Sequence, residues 1–276
     1  MMFALFALGV AAVFFVSSLI LLNYGRQLGL RHLQQEGPDS MAGLRTAEGA
    51  VFALIGLLVA FTVSGALQRF DERRQLVIQE ANAISTAYDR LGLFEGDLGR
   101  NLQSKMKDYT QARIELYQMP HDFSLWGREE LWPREQEDKI VDLKNKLSGA
   151  TVVACPEANY RPACPLVLPA LANTFEVARL RLGAAEKHPP NVVYVMLFGL
   201  GLGGSLLAGF GMATAKARSW MHMVIFAGAL TITLYVITDM EFPRLGLIRI
   251  ESFDHFLLNV YEQMRDPLPA QLASPL

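Results

Sequence analysis

Cysteine and histidine are scarce in this chain, with two and five copies among 276 residues. Two cysteines cannot build a disulfide-stapled scaffold. No histidine lies within ten residues of Cys155 or Cys164, so the pair brings too few ligands for a structural zinc site. The histidines are scattered, and H-E-x-x-H, Walker and G-x-S-x-G patterns are all missing. No catalytic residue, cofactor or metal is expected, and the chain does not read as an enzyme. Charge of one sign is lacking too. A net charge of −2 gives no global field that would draw nucleic acid.

The more informative shortage is local. The whole chain is only mildly apolar, at 51% hydrophobic residues and a mean hydropathy of +0.23, yet its charges are segregated. Met1–Leu22, Gly49–Leu67, Asn191–Ala215 and Ser219–Thr238 hold no Asp, Glu, Lys or Arg, and only His222 interrupts the last. A bilayer core about 30 Å thick needs roughly 20 apolar residues at about 1.5 Å rise each. Buried helices of a soluble protein usually show apolar runs of about 10–14. Four runs of full length therefore predict four transmembrane helices, over about 3–22, 49–67, 191–215 and 219–238. The first run has no basic residue before it and is long for a signal sequence, so it reads as a retained span.

One stretch of the third run, FGLGLGGSLLAG, contains Gly199, Gly201 and Gly204 in the G-x-G-x-x-G spacing of a dinucleotide-binding turn. That chemistry needs an acidic residue about 20 positions on. After Gly204 no Asp or Glu occurs before Asp239, and the apolar run continues to Ala215. The glycines therefore belong to a span. Gly199 with Gly203, Gly204 with Ala208, and Ser205 with Gly209 are spaced by four, which lines small residues along a helix face and lets backbones approach closely in lipid. Such a face serves either an oligomer or pore seam or ordinary packing within one chain.

Residues 69–188 hold 17 Lys/Arg and 18 Asp/Glu, a near-neutral extramembrane segment. Phe70, Val77, Ala81, Ile84, Tyr88 and Leu91 are spaced 7, 4, 3, 4, 3, a heptad-like stripe. With no Gly or Pro after the second span, one helix is predicted to leave the membrane and run to about Leu93. A second carries Leu102, Met106, Tyr109 and Leu116 and ends at Met119-Pro120; a third covers about 129–147. A fourth carries Leu168, Leu171, Phe175, Ala178 and Leu182, and His188-Pro189-Pro190 stops it. Four such helices predict a bundle. Between the third and fourth, CPEANYRPAC holds both cysteines in a Pro-rich loop. A disulfide between Cys155 and Cys164 is favoured there over two free thiols. Past the last span, residues 241–265 carry a stripe of Phe253, Phe256, Leu257, Val260, Tyr261 and Met264 suited to packing on the bundle, and 266–276 form a Pro-rich tail expected to be disordered.

Sidedness follows from basic residues. The short connections carry Arg26, Arg31, Arg45, Lys216 and Arg218, which places them in the cytoplasm by the positive-inside rule. The termini and residues 69–188 are then extracytoplasmic, although Arg69, Arg73 and Arg74 lie on that side.

Two segments carry a family resemblance. FDERRQLVIQEANAISTAYDRLGLF, 70–94, and DMEFPRLGLIRI, 239–250, resemble the segments after the second and last spans of the bestrophin-like family of bacterial membrane proteins, a domain of unknown function. With four matching spans, the resemblance covers nearly the whole chain. It implies an all-α, multi-pass protein of the bacterial inner membrane. Bestrophins are oligomeric anion channels in which a second span continues into an extramembrane helical domain. The resemblance thus implies a homo-oligomeric, channel-type protein in the lipid bilayer that passes a small anion. The alternative is a membrane-anchored sensor or scaffold whose bundle binds a protein partner.

Individual residues fit either reading. Arg69, Asp71, Glu72, Arg73, Arg74 and Glu80 form a charged vestibule at a pore mouth or a solvated face. On that face, Arg69–Glu72 and Asp71–Arg74 pairs are worth under about 1 kcal/mol each. Thr62, Ser64 and Gly65 are the polar or small residues available to a pore near the exit of the second span. Acidic groups at a bilayer edge usually have a partner. Asp239 or Glu241 is therefore expected to pair with Arg73, Arg74 or Arg244.

Overall fold

The computed structural model describes residues 2–37, 40–119, 134–215, 219–242, 246–248, 250 and 254–264. Eight α-helices occur among them: α1 Met2–Glu36, α2 Ser40–Leu91, α3 Gly96–Gln118, α4 Arg134–Ala154, α5 Cys164–Glu186, α6 Asn191–Gly211, α7 Trp220–Glu241 and α8 His255–Gln263. A 3-10 turn, Met212–Thr214, extends α6. No strand is present among the described residues. Four helical stretches, in α1, the first half of α2, α6 and α7, are long and apolar enough to cross a bilayer, with mean hydropathies of 2.7, 2.4, 1.9 and 1.8. The protein is an all-α, multi-pass integral membrane protein with a helical extramembrane bundle.

Two compact units divide the chain. The first takes Met1–Phe70 and His188–Arg249, the second Asp71–Lys187 and Ile250–Leu276. Helix α2 belongs to both. It runs 52 residues without a proline, so nothing interrupts its i→i−4 ladder between span and bundle. Leu91 ends it, and Gly96 starts α3 from a φ of 74°, a left-handed value natural only to glycine. Gly37, at φ 80°, ends α1 in the same way by donating its N–H to Leu33 at 3.1 Å.

In the membrane unit Phe14, Ala66, Leu197, Leu234, Ile237 and Met240 form one buried cluster, and Leu22, Met223 and Ala227 another. In the bundle Val77, Ala81, Ile84 and Leu91 of α2 are buried, together with Leu102, Met106 and Leu116 of α3 and Leu147 of α4. The heptad-like stripe thus faces inward. Leu257 of α8 and Met264 just after it are also buried, and Tyr261 donates its hydroxyl to Gln111 at 3.1 Å.

Three boundaries differ from the sequence reading. Residues 23–48 are not an open connection: α1 continues to Glu36 and α2 begins at Ser40. The apolar run ends at Leu22, but the packing face goes on through Gly25 and Gly29, both set against α6 and its 3-10 turn. Helix α4 extends past Leu147 to Ala154 because Thr151 and Ala154 are buried on the same face, while 129–133 lie outside the described residues. Helix α5 starts at Cys164, with Pro165 in its first turn where a missing N–H costs nothing.

Candidate functional site

The third span meets the first backbone to backbone. A methyl group on Gly209 would collide with the Leu22 carbonyl, and one on Gly25 with the Leu206 carbonyl. Higher in the same seam a methyl on Gly201 would sit 2.9 Å from the Phe14 ring. Ser18 and Ser205 are both fully buried, and Ser205 satisfies its hydroxyl on the Gly201 carbonyl at 2.9 Å. Gly201, Ser205, Gly209 and Ala213 therefore form an unbroken four-residue spacing of small, buried residues on α6 and its 3-10 extension.

This corrects the face expected from the sequence. Gly199 and Gly203 have nothing within 4 Å of a would-be Cβ and face outward, whereas Gly204 looks onto Ile55 and Phe52 of α2. Ala208 packs on the Leu22 cluster. Of the residues named, Ser205 and Gly209 belong to the seam itself. The four-spaced series from Gly201 to Ala213 is longer than any of the pairs first noticed, and its length was the available signal.

At the far end of the last span lies a polar cluster. Arg69 Nε donates to Glu241 Oε1 at 2.9 Å and to Oε2 at 3.1 Å, and its Nη2 donates to Oε1 as well. Glu241 is fully buried, and His188 brings its Nδ1 to 3.9 Å of Glu241 Oε2 while its ring stacks on Phe242 at 4.8 Å. Two residues earlier, Asp239 receives the backbone N–H of Leu247 at 2.9 Å and of Ile248 at 2.7 Å, and the Tyr235 hydroxyl at 3.1 Å. A side chain at Gly246 would strike that carboxylate. Asp239 thus staples the backbone of Leu247 and Ile248 to the end of α7. The arginine that holds Glu241 is Arg69, one turn before the Arg73 and Arg74 expected as its partners; Arg244 lies outside the described residues.

The charges after the second span take partners within the chain. Arg74 pairs with Asp71 at 3.0 Å, but Glu72 pairs with Lys187 at 3.1 Å rather than with Arg69. Arg73 is buried and donates to the carbonyls of Ala184 at 3.0 Å and Lys187 at 2.7 Å, where the end of α5 presents negative partial charge.

Glu80 departs furthest from expectation: it is fully buried inside the bundle. Arg113 Nε donates to Glu80 Oε1 at 2.7 Å and Arg181 Nη1 to Oε2 at 2.8 Å. Arg113 also donates to the Tyr117 hydroxyl, and Arg181 lies 3.5 Å over the Tyr117 ring and reaches Asp254 at 2.9 Å. Burial pushes the Glu80 carboxyl up, yet the two guanidinium groups outweigh it and hold it below its ordinary value. The same carboxylate keeps Arg113 firmly protonated despite its burial. One carboxylate on α2 therefore ties together α3, α5 and, through Asp254, the start of α8. Sequence reasoning passed over Arg113, Arg181, Tyr117 and Asp254. The signal was present: Leu102, Met106, Tyr109, Arg113 and Leu116 step 4, 3, 4, 3, which puts an arginine in the inward stripe.

Cys155 and Cys164 form a disulfide with a Cα–Cα separation of 5.8 Å. It closes the loop from α4 to α5, and Tyr160 of that loop packs edge-on against Phe94 at 5.6 Å. No group of three metal-ligating side chains occurs among the described residues.

Comparison with known proteins agrees with this architecture. A crystal structure of a bacterial bestrophin homologue from Klebsiella pneumoniae, carrying a tyrosine-to-alanine mutation, matches with a TM-score of 0.59 at 14% identity, covering 91% of this chain and 98% of that one. At that identity the likeness is one of fold. No curated protein matches the chain. The family model described as the bestrophin-like domain matches residues 12–252, which take in most of α1, all of α2 to α7 and both sequence segments quoted above, and the chain belongs to the bestrophin-like family.

Proposed function

We propose that the protein is a homo-oligomeric, channel-type membrane protein that passes small anions, with α2 lining the shared axis. The observation that carries this reading is the outward face of α2 in the membrane unit. Leu54, Leu57 and Phe61 are 67%, 54% and 67% exposed, and Ser64 continues the stripe toward the exit of the span. The opposite face, with Ile55, Ala66 and Arg69, is committed to α6 and α7. Arranged around an axis, the free stripe makes an apolar constriction of the kind that gates by dewetting. Of the three polar or small candidates, Ser64 faces outward, Thr62 spends its hydroxyl on the Leu58 carbonyl at 2.8 Å, and Gly65 lies against the Arg69 side chain. The anion comes from kinship with the bestrophins.

The test is chloride efflux from liposomes holding the purified protein, together with the subunit count in native mass spectrometry. The expected result is a ring of three or more subunits and an efflux that a polar substitution, Leu57→Asn, increases. A dimer or monomer without efflux sinks the channel reading and favours a membrane-anchored scaffold.

A further inference from the structure

Helices α2 and α7 run side by side in the membrane unit and are joined near both ends. On one side of the membrane the rings of Phe52 and Phe226 meet edge-on at 6.2 Å; on the other Arg69 grips Glu241. Between these clamps the helices part over α6 and leave a cavity of about 170 Å³. Its floor is Leu197 and Gly201 of α6, its walls Leu58 and Val59 of α2 and Leu230 and Thr233 of α7. Thr233 supplies the only side-chain polar atom of the lining, and its hydroxyl is donated to the Ala229 carbonyl at 2.8 Å.

Each of the three lining segments lies near the middle of its apolar stretch: 55–59 in the charge-free run 49–67 of α2, 197–201 in Asn191–Gly211, and 226–234 in Trp220–Glu241. The cavity is therefore at the depth of the bilayer midplane. Water needs two to four polar partners to occupy a cavity, and apolar cavities near 150 Å³ stay dry and take apolar guests. At that depth the apolar groups at hand are the methyl ends of lipid chains, since headgroups and ester carbonyls lie about 15 Å away in a core about 30 Å thick. We propose that the terminal segment of one lipid acyl chain inserts between α2 and α7 over Gly201. The chain replaces dispersion contacts that an empty recess would forfeit and sets the separation of α2 from α7 at mid-membrane. The inference stands on the membrane unit alone and does not depend on the channel reading.

The experiment uses the full chain reconstituted in phosphatidylethanolamine–phosphatidylglycerol vesicles. A small fraction of the lipid carries a photoactivatable diazirine, either at the chain terminus or next to the ester carbonyl. Labelled positions are read by peptide mass spectrometry. The chain-terminal probe should label Leu200, Ala229 and Thr233 more heavily than Ile225 and Ile232, which face outward on α7, and the carbonyl-proximal probe should not. Ala229→Phe, which fills the mouth, should bring recess labelling down to the Ile232 level, while Ile232→Phe should leave it unchanged. Equal labelling of recess and outward face by the chain-terminal probe in the unsubstituted protein overturns the proposal, as does equal labelling of the recess by the two probes. A disulfide-linked dimer formed by Ala229→Cys would place a second copy there and overturn it too.

Discussion

Glu80 shows how much one side chain can settle in a bundle of this size. Its carboxylate sits at zero exposure between Arg113 and Arg181, so removing its charge takes the counter-ion from the buried Arg113 guanidinium and leaves Arg181 to Asp254. Breaking a buried pair from one side typically costs about 3–5 kcal/mol, because the remaining charge is uncompensated. Glu80→Gln should therefore lose about that much stability in denaturant titration of the detergent-solubilised protein, and replacing Glu80, Arg113 and Arg181 together with apolar residues of similar size should recover much of it. A single substitution that leaves the midpoint unchanged would mean the network carries no net load. The sign of the pH dependence follows from the same geometry. The folded-state value is held below the ordinary carboxylate range, so the stabilisation is fully present above about pH 4.5. It drains away as the pH falls through the depressed value. The Glu80→Gln protein should lack this part of the acid response.

Helix packing in the membrane unit turns on which face of α6 carries its small residues inward, and two glycines six residues apart separate the possibilities. Gly209 touches the α1 backbone, whereas Gly203 has open space at its Cβ position. Gly209→Leu must push α1 away from α6 and should lower the thermal midpoint in detergent sharply, since overpacking typically costs about 1–3 kcal/mol. Gly203→Leu should leave the midpoint of the single chain near its original value. If Gly203→Leu changes the subunit count instead, the outward face of α6 is an oligomer surface. Much at this scale was legible in the sequence. Charge-free runs marked four helices long and apolar enough to cross a bilayer, and the 7, 4, 3, 4, 3 stripe from Phe70 falls in a helix continuous from Ser40 to Leu91, because both are local features of the chain. The seam was not legible in full, since the face of a uniformly apolar helix that meets a neighbour depends on the neighbour. Leu22, Gly25 and Gly29 complete it from 180 residues away in the chain. The charges after the second span misled for a related reason. Spacing suggested Arg69–Glu72 and Asp71–Arg74 pairs; Asp71 does pair with Arg74, but Arg69 found Glu241, Glu72 found Lys187 and Arg73 found the end of α5. For Arg69 and Glu72, a tertiary partner outcompeted the neighbour three residues away.

For the molecule as a whole the open matter is which side of the membrane holds the bundle, and two features bear on it. Arg26 and Arg31 follow the first span, and the connection between the last two spans carries Lys216 and Arg218, which favours a cytoplasmic placement of those connections. The disulfide between Cys155 and Cys164 fits an oxidising compartment for the bundle. Arg69, Arg73 and Arg74 on the bundle side weigh against this placement, yet each has a structural partner: Glu241, the carbonyls at the end of α5, and Asp71. Their presence is explained by folding without invoking the cytoplasm. Bestrophins keep their domain in the cytosol, so the two lines of argument make opposite forecasts and one measurement separates them. Intact cells treated with a membrane-impermeant maleimide should show no labelling of Cys155 or Cys164 until an impermeant reductant has been added, and clear labelling afterwards. The loop closed by the bridge spans nine residues in sequence, for which chain entropy gives about 2–3 kcal/mol, so reduction should also lower the stability of the bundle without unfolding the membrane unit. Labelling that requires permeabilised cells and no reductant would put free thiols in the cytoplasm. The bundle would then sit where bestrophins hold theirs, and the basic connections would stand as an exception to the charge rule.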